Sequence, residues 1–335
     1  MWNKQPIEIR MEEALIAQFG QEQGHRYYVQ YETARNQLVD EIFPQIRAVE
    51  PSLTEHDATH IKDVLKNAEL LLGEDISKLN GIDLYCLGLV ILFHDVGNIH
   101  GRKKHNLYKN TVTVYNHVRN RIAKYNHERT VVLRAAQAHS GLSNTGSTDT
   151  LKDIDPTDHI DGHTVRLRDI ACILRFADEL SEGPQRTSTF MQVNNKYDPK
   201  SKIFHKYADS THIHIDRPNE RIAITYHIDI EKKGKKFSAK AEKEFIELIH
   251  FTYHRILKLD QERKYTKHYS GLLSPFKKTS VKLNIHVNGQ LQNLDLNEIT
   301  LTDIVVPGDE CRNIFELDES YRVENILDAL KSIGS

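Results

Sequence analysis

Residues 83–98 read DLYCLGLVILFHDVGN, and this stretch decides the fold. Apolar side chains follow one another as far as Phe93 with little polar interruption, which predicts a helix inside a core. The helix has to stop at Gly97, so His94 and Asp95 stand at the point where it emerges from that core. A carboxylate in such a place costs free energy unless it is paired or bound to a metal. The stretch therefore predicts a helical core with a chemical site where this helix ends.

The composition is that of a globular protein. Its 335 residues predict roughly two domains. Hydrophobic residues make up 39% and charged residues 27%, and 45 Lys+Arg against 47 Asp+Glu leave a net charge of −2, which excludes a strongly basic nucleic-acid-coating protein. Cys86 and Cys172 lie in apolar stretches and indicate free thiols in a reducing compartment. The apolar run is too short for a membrane span and the first residues do not resemble a secretory signal, so we expect a cytoplasmic protein without membrane contact.

The periodicity of apolar residues predicts a mainly α-helical chain in three parts. Residues 1–50 are predicted to be N-terminal helices that pack on a core, and residues 51–205 to be the helical core itself. Residues 206–335 are predicted to be a small α+β region that contains β-hairpins. Its predicted elements are a hairpin over 212–230, a helix over 238–260 and a hairpin over 281–296.

Two local features of the predicted core depend on turn and cap residues. Thr54 and Asp57 have the spacing of a capping box, which predicts that a helix begins near Thr54. The stretch 140–163 is rich in Gly, Ser, Thr and Asp and is predicted to be a long loop, followed by a helix over 164–181.

Histidine is unusually frequent, with 19 residues against 16 glycines. Taken singly, a histidine on an apolar face has a structural interpretation as a buried ring bonded to a carbonyl group, and an aspartate as one half of an ion pair. Four predicted helices each place a metal-ligating side chain on or beside an apolar stripe, and a shared site explains all of them together. These side chains are His60, His94, Asp95, His139 and Asp178.

The order His60, His94-Asp95 and Asp178 resembles that of the HD superfamily of metal-dependent phosphohydrolases. The stretches EHDATHIKDVLKNAELL, LVILFHDVGNI and ACILRFADEL are similar to the three ligand helices of that superfamily. The resemblance covers residues 50–190 and implies an HD-type helical bundle. The Gly-Tyr-Pro signature of relatives that degrade cyclic di-GMP is absent, which argues against that particular activity.

The resemblance implies a metal site with divalent transition ions. One ion would be held by His60, His94, Asp95 and Asp178, and Asp95 would bridge to a second ion held by His105 and His139. His100, His117 and His127 are alternatives to His105. Imidazole and carboxylate without thiolate suit Mn, Fe, Ni, Co or Zn, with Mg as an alternative, and the choice between one ion and two stays open.

Basic side chains near these ligands are candidates for contact with substrate phosphate. We predict catalytic roles for Asp95, Lys104 and Arg175, although Arg175 has an alternative interpretation as a partner of Asp178 or Glu179. A solvated loop is the favoured interpretation of Arg102 and Lys103, and Arg186 is a weaker phosphate candidate. The sequence leaves open whether three further histidines contribute to the site, namely His56, His159 and His163.

The function predicted from these residues is hydrolysis of a phosphomonoester or phosphodiester by a metal-activated hydroxide, in a nucleotide or oligonucleotide. One alternative is an HD-type nuclease that acts on single-stranded nucleic acid, and another is a non-catalytic module that senses a nucleotide. The expected partners are a phosphate-containing small molecule or an oligonucleotide. A homodimer through exposed hairpin edges and a protein partner for the C-terminal region are further expectations.

Overall fold

The computed structural model describes residues 2–51, 54, 57–103, 105–119, 125–143, 146–188, 191, 194, 196–234, 236–303 and 311–333. The chain divides into two compact units. The first consists of Met1–Ser181 and Tyr265–Ser274, and the second of Glu182–Lys264 and Pro275–Ser335. The prediction of a mainly α-helical chain with an α+β C-terminal part is confirmed. The predicted segments 1–50, 51–205 and 206–335 divide the chain at other points and stay a prediction.

The first unit is built from helices that surround one apolar helix. A short π-helical turn, Leu38–Ile42, joins the second and third of them. The helices are α1 (Pro6–Phe19), α2 (Gln21–Gln37), α3 (Phe43–Val49), α4 (Ala58–Leu72), α5 (Gly81–Phe93), α6 (Tyr108–Val118), α7 (Asn126–Gln137) and α8 (Leu167–Glu179).

Helix α5 lies at the centre of this unit, and all of its residues are buried. Asn80 caps its first turn: its side chain accepts from the backbone N–H of Asp83, while the Asp83 carboxylate accepts from the Asn80 N–H. Helices α1, α2, α4, α7 and α8 pack around it. By length and composition the stretch Gly81–His100 could cross a membrane, but 94% of its most apolar 18-residue window is buried among the described residues, as expected of a core helix.

Two local predictions for the first unit are wrong. Helix α4 begins at Ala58 rather than near Thr54, because the carboxylate of Asp57 caps it by accepting from the backbone N–H groups of Thr59 and His60. The predicted loop over 140–163 contains most of an antiparallel hairpin, β1 (Asp158–Ile160) with β2 (His163–Val165). Asp161 and Gly162 make its turn with positive φ angles, which polar and glycine residues tolerate.

The segment Tyr265–Ser274 returns to the first unit from much later in the chain. Its short 3₁₀ turn, Gly271–Leu273, packs against α4 and α8. Ser270 donates a hydrogen bond from its hydroxyl to the carboxylate of Asp169 at the start of α8. Helix α8 therefore packs against residues that lie about a hundred positions away in sequence.

The second unit combines helices α9 (Lys202–Ser210) and α11 (Val323–Ile333) with most of α10 (Ala239–Tyr269) and a mixed sheet. Helix α10 has 31 residues and continues well past its predicted end at 260. The sheet strands are β3 (Thr211–Asp216), β4 (Arg221–Ile230), β7 (Lys278–Val287), β8 (Gln290–Leu291) and β9 (Ile299–Thr302), and a small separate hairpin joins β5 (Lys232–Lys233) to β6 (Lys236–Phe237).

The sheet consists of antiparallel pairs joined by one parallel pair. Strand β3 pairs antiparallel with β4, and β7 pairs antiparallel with β8 and β9. Strands β4 and β7 pair in parallel, with α10 between them in the chain. Asn288 and Gly289 have positive φ angles in the turn after β7, but that hairpin ends at Leu291 rather than 296.

Candidate metal centre

Five helices of the first unit bring the six predicted metal ligands together. His60 lies in the first turn of α4, and Asp178 lies in the last turn of α8. The doublet His94-Asp95 directly follows α5, where the chain leaves the core. His105 precedes α6, and His139 follows α7. The six side chains form two groups, His60 with His94 and Asp178, and Asp95 with His105 and His139.

The first group has the spacing of ligands around one ion. The Nε2 atom of His60 lies 3.4 Å from Nε2 of His94 and 3.2 Å from Oδ1 of Asp178. Nε2 of His94 lies 3.6 Å from the same carboxylate oxygen. Ligand atoms at about 2.0–2.2 Å from one ion are about 3.0–3.6 Å apart, so these three atoms fit around a single divalent ion.

The second group has the same spacing, and Asp95 joins it to the first. Nε2 of His105 lies 3.3 Å from Nε2 of His139, and Oδ1 of Asp95 lies 3.1 Å and 3.6 Å from these two atoms. The other oxygen of the same carboxylate, Oδ2, lies 3.5 Å from Nε2 of His94 and 3.9 Å from Nε2 of His60. Asp95 thus directs one oxygen to each group.

Backbone carbonyl groups fix the tautomer of three of the four histidines. In each ring Nδ1 lies within hydrogen-bond distance of the carbonyl oxygen three residues earlier: 2.7 Å for His94, 3.1 Å for His105 and 2.5 Å for His139. Because a carbonyl oxygen only accepts, Nδ1 carries the proton, and in the neutral ring Nε2 directs a lone pair into the centre. Metal-bound histidines are oriented in this way.

The resulting arrangement brings acceptor atoms face to face. Nε2 of His105, Nε2 of His139 and Oδ1 of Asp95 lie within 3.6 Å of one another. The hydroxyl of Ser140 lies 3.1 Å from Nε2 of His139 and can donate to it, but this leaves the carboxylate oxygen facing the lone pair of His105. Buried acceptors at such distances require a proton or a cation between them.

The ionisation of the centre favours a cation. Burial would lower the pKa of His94, but the carboxylates of Asp95 and Asp178 outweigh it and raise this pKa to about 10. Burial would raise the pKa of both carboxyl groups, but the histidines around them hold both pKa values well below the usual range. Burial lowers the pKa of His139. The carboxylates therefore stay ionised and need positive charge beside them. A divalent ion can supply that charge.

A comparison with protein-family models identifies the domain that carries this centre. The model described as HD-CE matches residues 50–255, which is more than half of the chain. The chain belongs to the HD-CE family. The prediction of an HD-type domain is therefore confirmed, and the two His/Asp groups of this domain could hold metal ions. No curated protein and no solved structure matches the chain significantly.

The centre of this HD-CE domain opens on the side of Asp178. The side chains of His60, His94, Asp95, His105 and His139 are at most 9% exposed, whereas that of Asp178 is 24% exposed. Arg102 is more than a solvated loop residue: its Nη1 lies 3.6 Å from Oδ1 of Asp95, and its side chain is 48% exposed. Asn98, which is buried, accepts from the same guanidinium at 3.4 Å. The sequence favoured a solvated loop for Arg102 because no local pattern pairs this residue with Asp95.

The other candidates have different surroundings. Lys104 and His56 lie outside the described residues, so their roles stay predictions. His159, which is exposed, and His163, which packs edge-on against Phe19, lie in the β1–β2 hairpin and belong to neither group of ligands. The alternatives to His105 lie elsewhere: His100 is near Thr113, His117 near Glu41 and His127 near Asp158. Lys103 is exposed, and Arg186 is buried in the second unit.

Gly97 is required where two backbone segments of the centre meet. A Cβ atom at this position would lie 1.8 Å from the carbonyl oxygen of His105, so a side chain there would displace the His105 backbone. We expect Gly97→Ala to weaken metal binding at the second group by roughly tenfold or more, since small displacements of metal ligands have effects of this size. Elemental analysis of the purified variant measures the loss.

A matched control for this change is Gly271→Ala, where a Cβ atom would meet nothing within 4 Å. The control should keep the metal content of the wild type. Equal metal content in Gly97→Ala would show that the His105 segment can move without harm, and would contradict the expectation.

Arg175 supports the segment that carries His139. Its Nη1 donates to the carbonyl oxygen of Ala138 at 2.9 Å and to the hydroxyl of Thr150 at 2.9 Å. Thr150 donates in turn to the same carbonyl oxygen at 2.8 Å. These contacts fix the backbone directly before His139, whereas the predicted contact between Arg175 and substrate phosphate stays a prediction.

Sequence reasoning missed Tyr265, which completes this support from the return segment. The guanidinium of Arg175 lies 4.9 Å from the centre of the Tyr265 ring. The Tyr265 hydroxyl donates to the carboxylate of Asp149 at 2.8 Å and accepts from the backbone N–H of Leu151 at 2.8 Å. No local signal could have found this residue, because its hydrogen-bond partners lie more than a hundred positions earlier.

Replacing Tyr265 with phenylalanine tests this support. The change removes the hydroxyl that pairs with Asp149 and Leu151, so we expect the free energy of unfolding to fall by about 1–3 kcal/mol. Because the His139 segment loosens, metal affinity at the second group should fall by about tenfold. Metal competition and denaturant unfolding measure the two effects. Tyr253→Phe, which removes a hydroxyl bound to the Tyr321 carbonyl, is the control, and an equal metal affinity in both variants would contradict the role of Tyr265.

Proposed function

We propose that this HD-CE chain is a metal-dependent phosphohydrolase that cleaves a phosphomonoester or phosphodiester bond, in a nucleotide or oligonucleotide. One observation carries the proposal. The Asp95 carboxylate has Oδ1 3.1 Å from Nε2 of His105 and Oδ2 3.5 Å from Nε2 of His94, so that it can serve two ions at once. A bridging carboxylate between two His-rich groups suits a two-metal hydrolytic centre better than a structural one.

Backbone carbonyl groups and side chains of the chain orient and charge the metal ligands before any substrate binds. The carbonyl oxygens of Ile91, Arg102 and Ala136 hold the Nδ1 protons of three histidines and leave their Nε2 lone pairs for metal. Asp95 and Asp178 stay ionised because neighbouring histidines lower their pKa values against the effect of burial. When bound, a pair of divalent ions lowers the pKa of a water molecule and polarises a phosphoryl oxygen.

Arg102 supports a phosphate-containing substrate. Its guanidinium lies beside Asp95 at the edge of the second group, and nearly half of its side chain is exposed. Guanidinium groups bind phosphate oxygens in a two-pronged geometry that also stabilises the charge of the transition state. The buried side chain of Asn98 holds this guanidinium near the ligands. We infer that Arg102, together with the predicted Lys104, contacts the substrate phosphate beside the second group.

The experiment that tests the function is a hydrolysis screen on metal-loaded protein. The full chain is purified without added metal or chelator, and its metal content is measured by elemental analysis. It is then incubated with Mn²⁺, Ni²⁺ or Zn²⁺ and a panel of nucleoside mono-, di- and triphosphates, cyclic nucleotides and single-stranded oligonucleotides. We expect about two metal equivalents and release of phosphate or a nucleotide product from one class of substrate.

The outcomes distinguish the alternatives. Cleavage of oligonucleotides alone, with steep salt dependence of binding, would favour the nuclease over a small-molecule hydrolase. Binding of a nucleotide without any product in the presence of each metal would overturn the hydrolase and leave the sensing module. Phe93→Leu, which changes a fully buried core side chain and keeps all six ligand side chains, is the control for general damage to the fold.

A further inference from the structure

The solvent face of the sheet in the second unit carries three histidines on three adjacent strands. In β4 the side chains of even-numbered residues, such as Tyr226 and Ile228, are buried, so His227 lies on the opposite face. His212 in β3 and His286 in β7 lie on that same face by the same alternation. His212 and His227 are exposed, and His286 is half-buried. None of these histidines belongs to the centre in the first unit.

Two of these rings, those of His227 and His286, have the spacing of metal ligands. Nδ1 of His227 lies 3.1 Å from Nε2 of His286. Two nitrogen atoms that bind one ion at about 2.0–2.1 Å are about 3.0–3.4 Å apart, so these two fit around an ion with only small rotations. The ring of His212 lies on the other side of His227, with 5.3 Å between ring centres, and can supply a third nitrogen by turning about its side-chain bonds.

The surroundings of the rings leave them available to a ligand. The strand register sets His212 opposite Thr225 and His227 opposite Asn284, both of which are uncharged. Asp229 is the register partner of His286, but its carboxylate accepts from the backbone N–H of Gly289 and stabilises the turn. The rings are thus held on a rigid sheet, which lowers the entropy cost of binding an ion.

We propose that His212, His227 and His286 form a second metal site that binds Zn²⁺, Ni²⁺ or Cu²⁺. Imidazole nitrogens without hard oxygen ligands favour these ions over Mg²⁺ or Mn²⁺, and Cu²⁺ binds most tightly in the usual order of affinities. The site keeps open coordination positions towards solvent. A hydrogen bond between two neutral rings is the alternative explanation of the close contact between His227 and His286, and it needs no metal.

Zn²⁺ binding to the full chain tests this proposal. The number of Zn²⁺ ions bound at equilibrium is measured by dialysis and elemental analysis for the wild type, His227→Gln and His286→Gln. We expect each variant to bind one Zn²⁺ fewer than the wild type, or to bind the last ion at least tenfold more weakly. In NMR spectra of the imidazole groups, added Ni²⁺ or Cu²⁺ should broaden the signals of His212, His227 and His286 before those of the other histidines outside the HD centre.

The matched control is His214→Gln. His214 is exposed on the same face of β3, but its register partner is Ala223 rather than a residue of the cluster. It should bind Zn²⁺ as the wild type does. Two results would overturn the proposed site. One is equal Zn²⁺ binding by the wild type and His227→Gln, and the other is a loss of Zn²⁺ binding in His214→Gln as large as that in His227→Gln. All three side chains lie on the surface of the sheet, so their replacement should leave the ions of the HD centre in place, whatever that centre does.

Discussion

Replacement of Asp95 with alanine should lower kcat/KM for phosphate-ester hydrolysis by at least about 10³-fold, because several kcal/mol of transition-state stabilisation depend on the metal ions. The same change should remove the bound ions from both groups, since Asp95 directs Oδ1 to His105 and His139 and Oδ2 to His94. Kinetics on the substrate found in the screen and elemental analysis of the purified variant measure the two losses.

Two variants give this prediction its controls. Asp153→Asn changes an exposed carboxylate of the first unit and should keep both metal and activity. His105→Ala should lose metal mainly from the second group, so the two groups can be separated. Full metal content with full activity in Asp95→Ala would remove the bridging role of this carboxylate and the proposed function with it.

Removal of metal should destabilise the first unit strongly. Without ions, the centre holds four buried imidazole rings, the buried carboxylate of Asp95 and the partly exposed carboxylate of Asp178. A ligand that binds only the folded state at about 1,000 times its dissociation constant adds about 4 kcal/mol of stability. For a unit of this size we expect the unfolding temperature to fall by about 10 °C when a chelator removes the ions, and to recover when they return.

Thermal unfolding followed by circular dichroism measures this change. The Asp95→Ala variant is the reference, because a chain that binds little metal should show little response to the chelator. An unfolding temperature of the wild type that does not depend on metal would show that the ions contribute nothing to folding. Activity lost under the same conditions would then have another cause.

The ligands of the centre could be predicted because each is tied to a local pattern. His60, His94 and Asp178 stand on or directly after helices with clear apolar stripes, so both their helices and the faces they share follow from the sequence. The stretch that ends in Asp95 also predicts where the chain leaves the core. The order of these residues then suffices for the resemblance to the HD superfamily.

Other parts of the centre depend on contacts between distant segments. The cap of α4 is Asp57, and the choice between it and Thr54 depends on backbone angles that the sequence does not specify. Gly97 is needed only because the His105 carbonyl passes against it, and Arg175 donates to the backbone carbonyl of Ala138. Such contacts follow from how helices pack, which apolar periodicity alone does not determine.

The sheet shows the same limit. The hairpin signals in the sequence mark strand pairs that are neighbours along the chain. The parallel pairing of β4 with β7, which brings His286 beside His227, joins strands that are separated by a long helix. Periodicity does not show that these two strands are neighbours, so only the register pairs the histidines of this face.

The return of Tyr265–Ser274 to the first unit has a consequence for how the protein is made. A ribosome completes α1 to α8 long before it reaches this segment. Until then, the surfaces of α4 and α8 that the segment covers are exposed in the nascent first unit. During this delay Asp149 and Asp169 lack the hydroxyl groups of Tyr265, Tyr269 and Ser270. Translation past residue 274 is therefore the step that completes the first unit, and a fragment cut at residue 255, where the family match ends, lacks this segment.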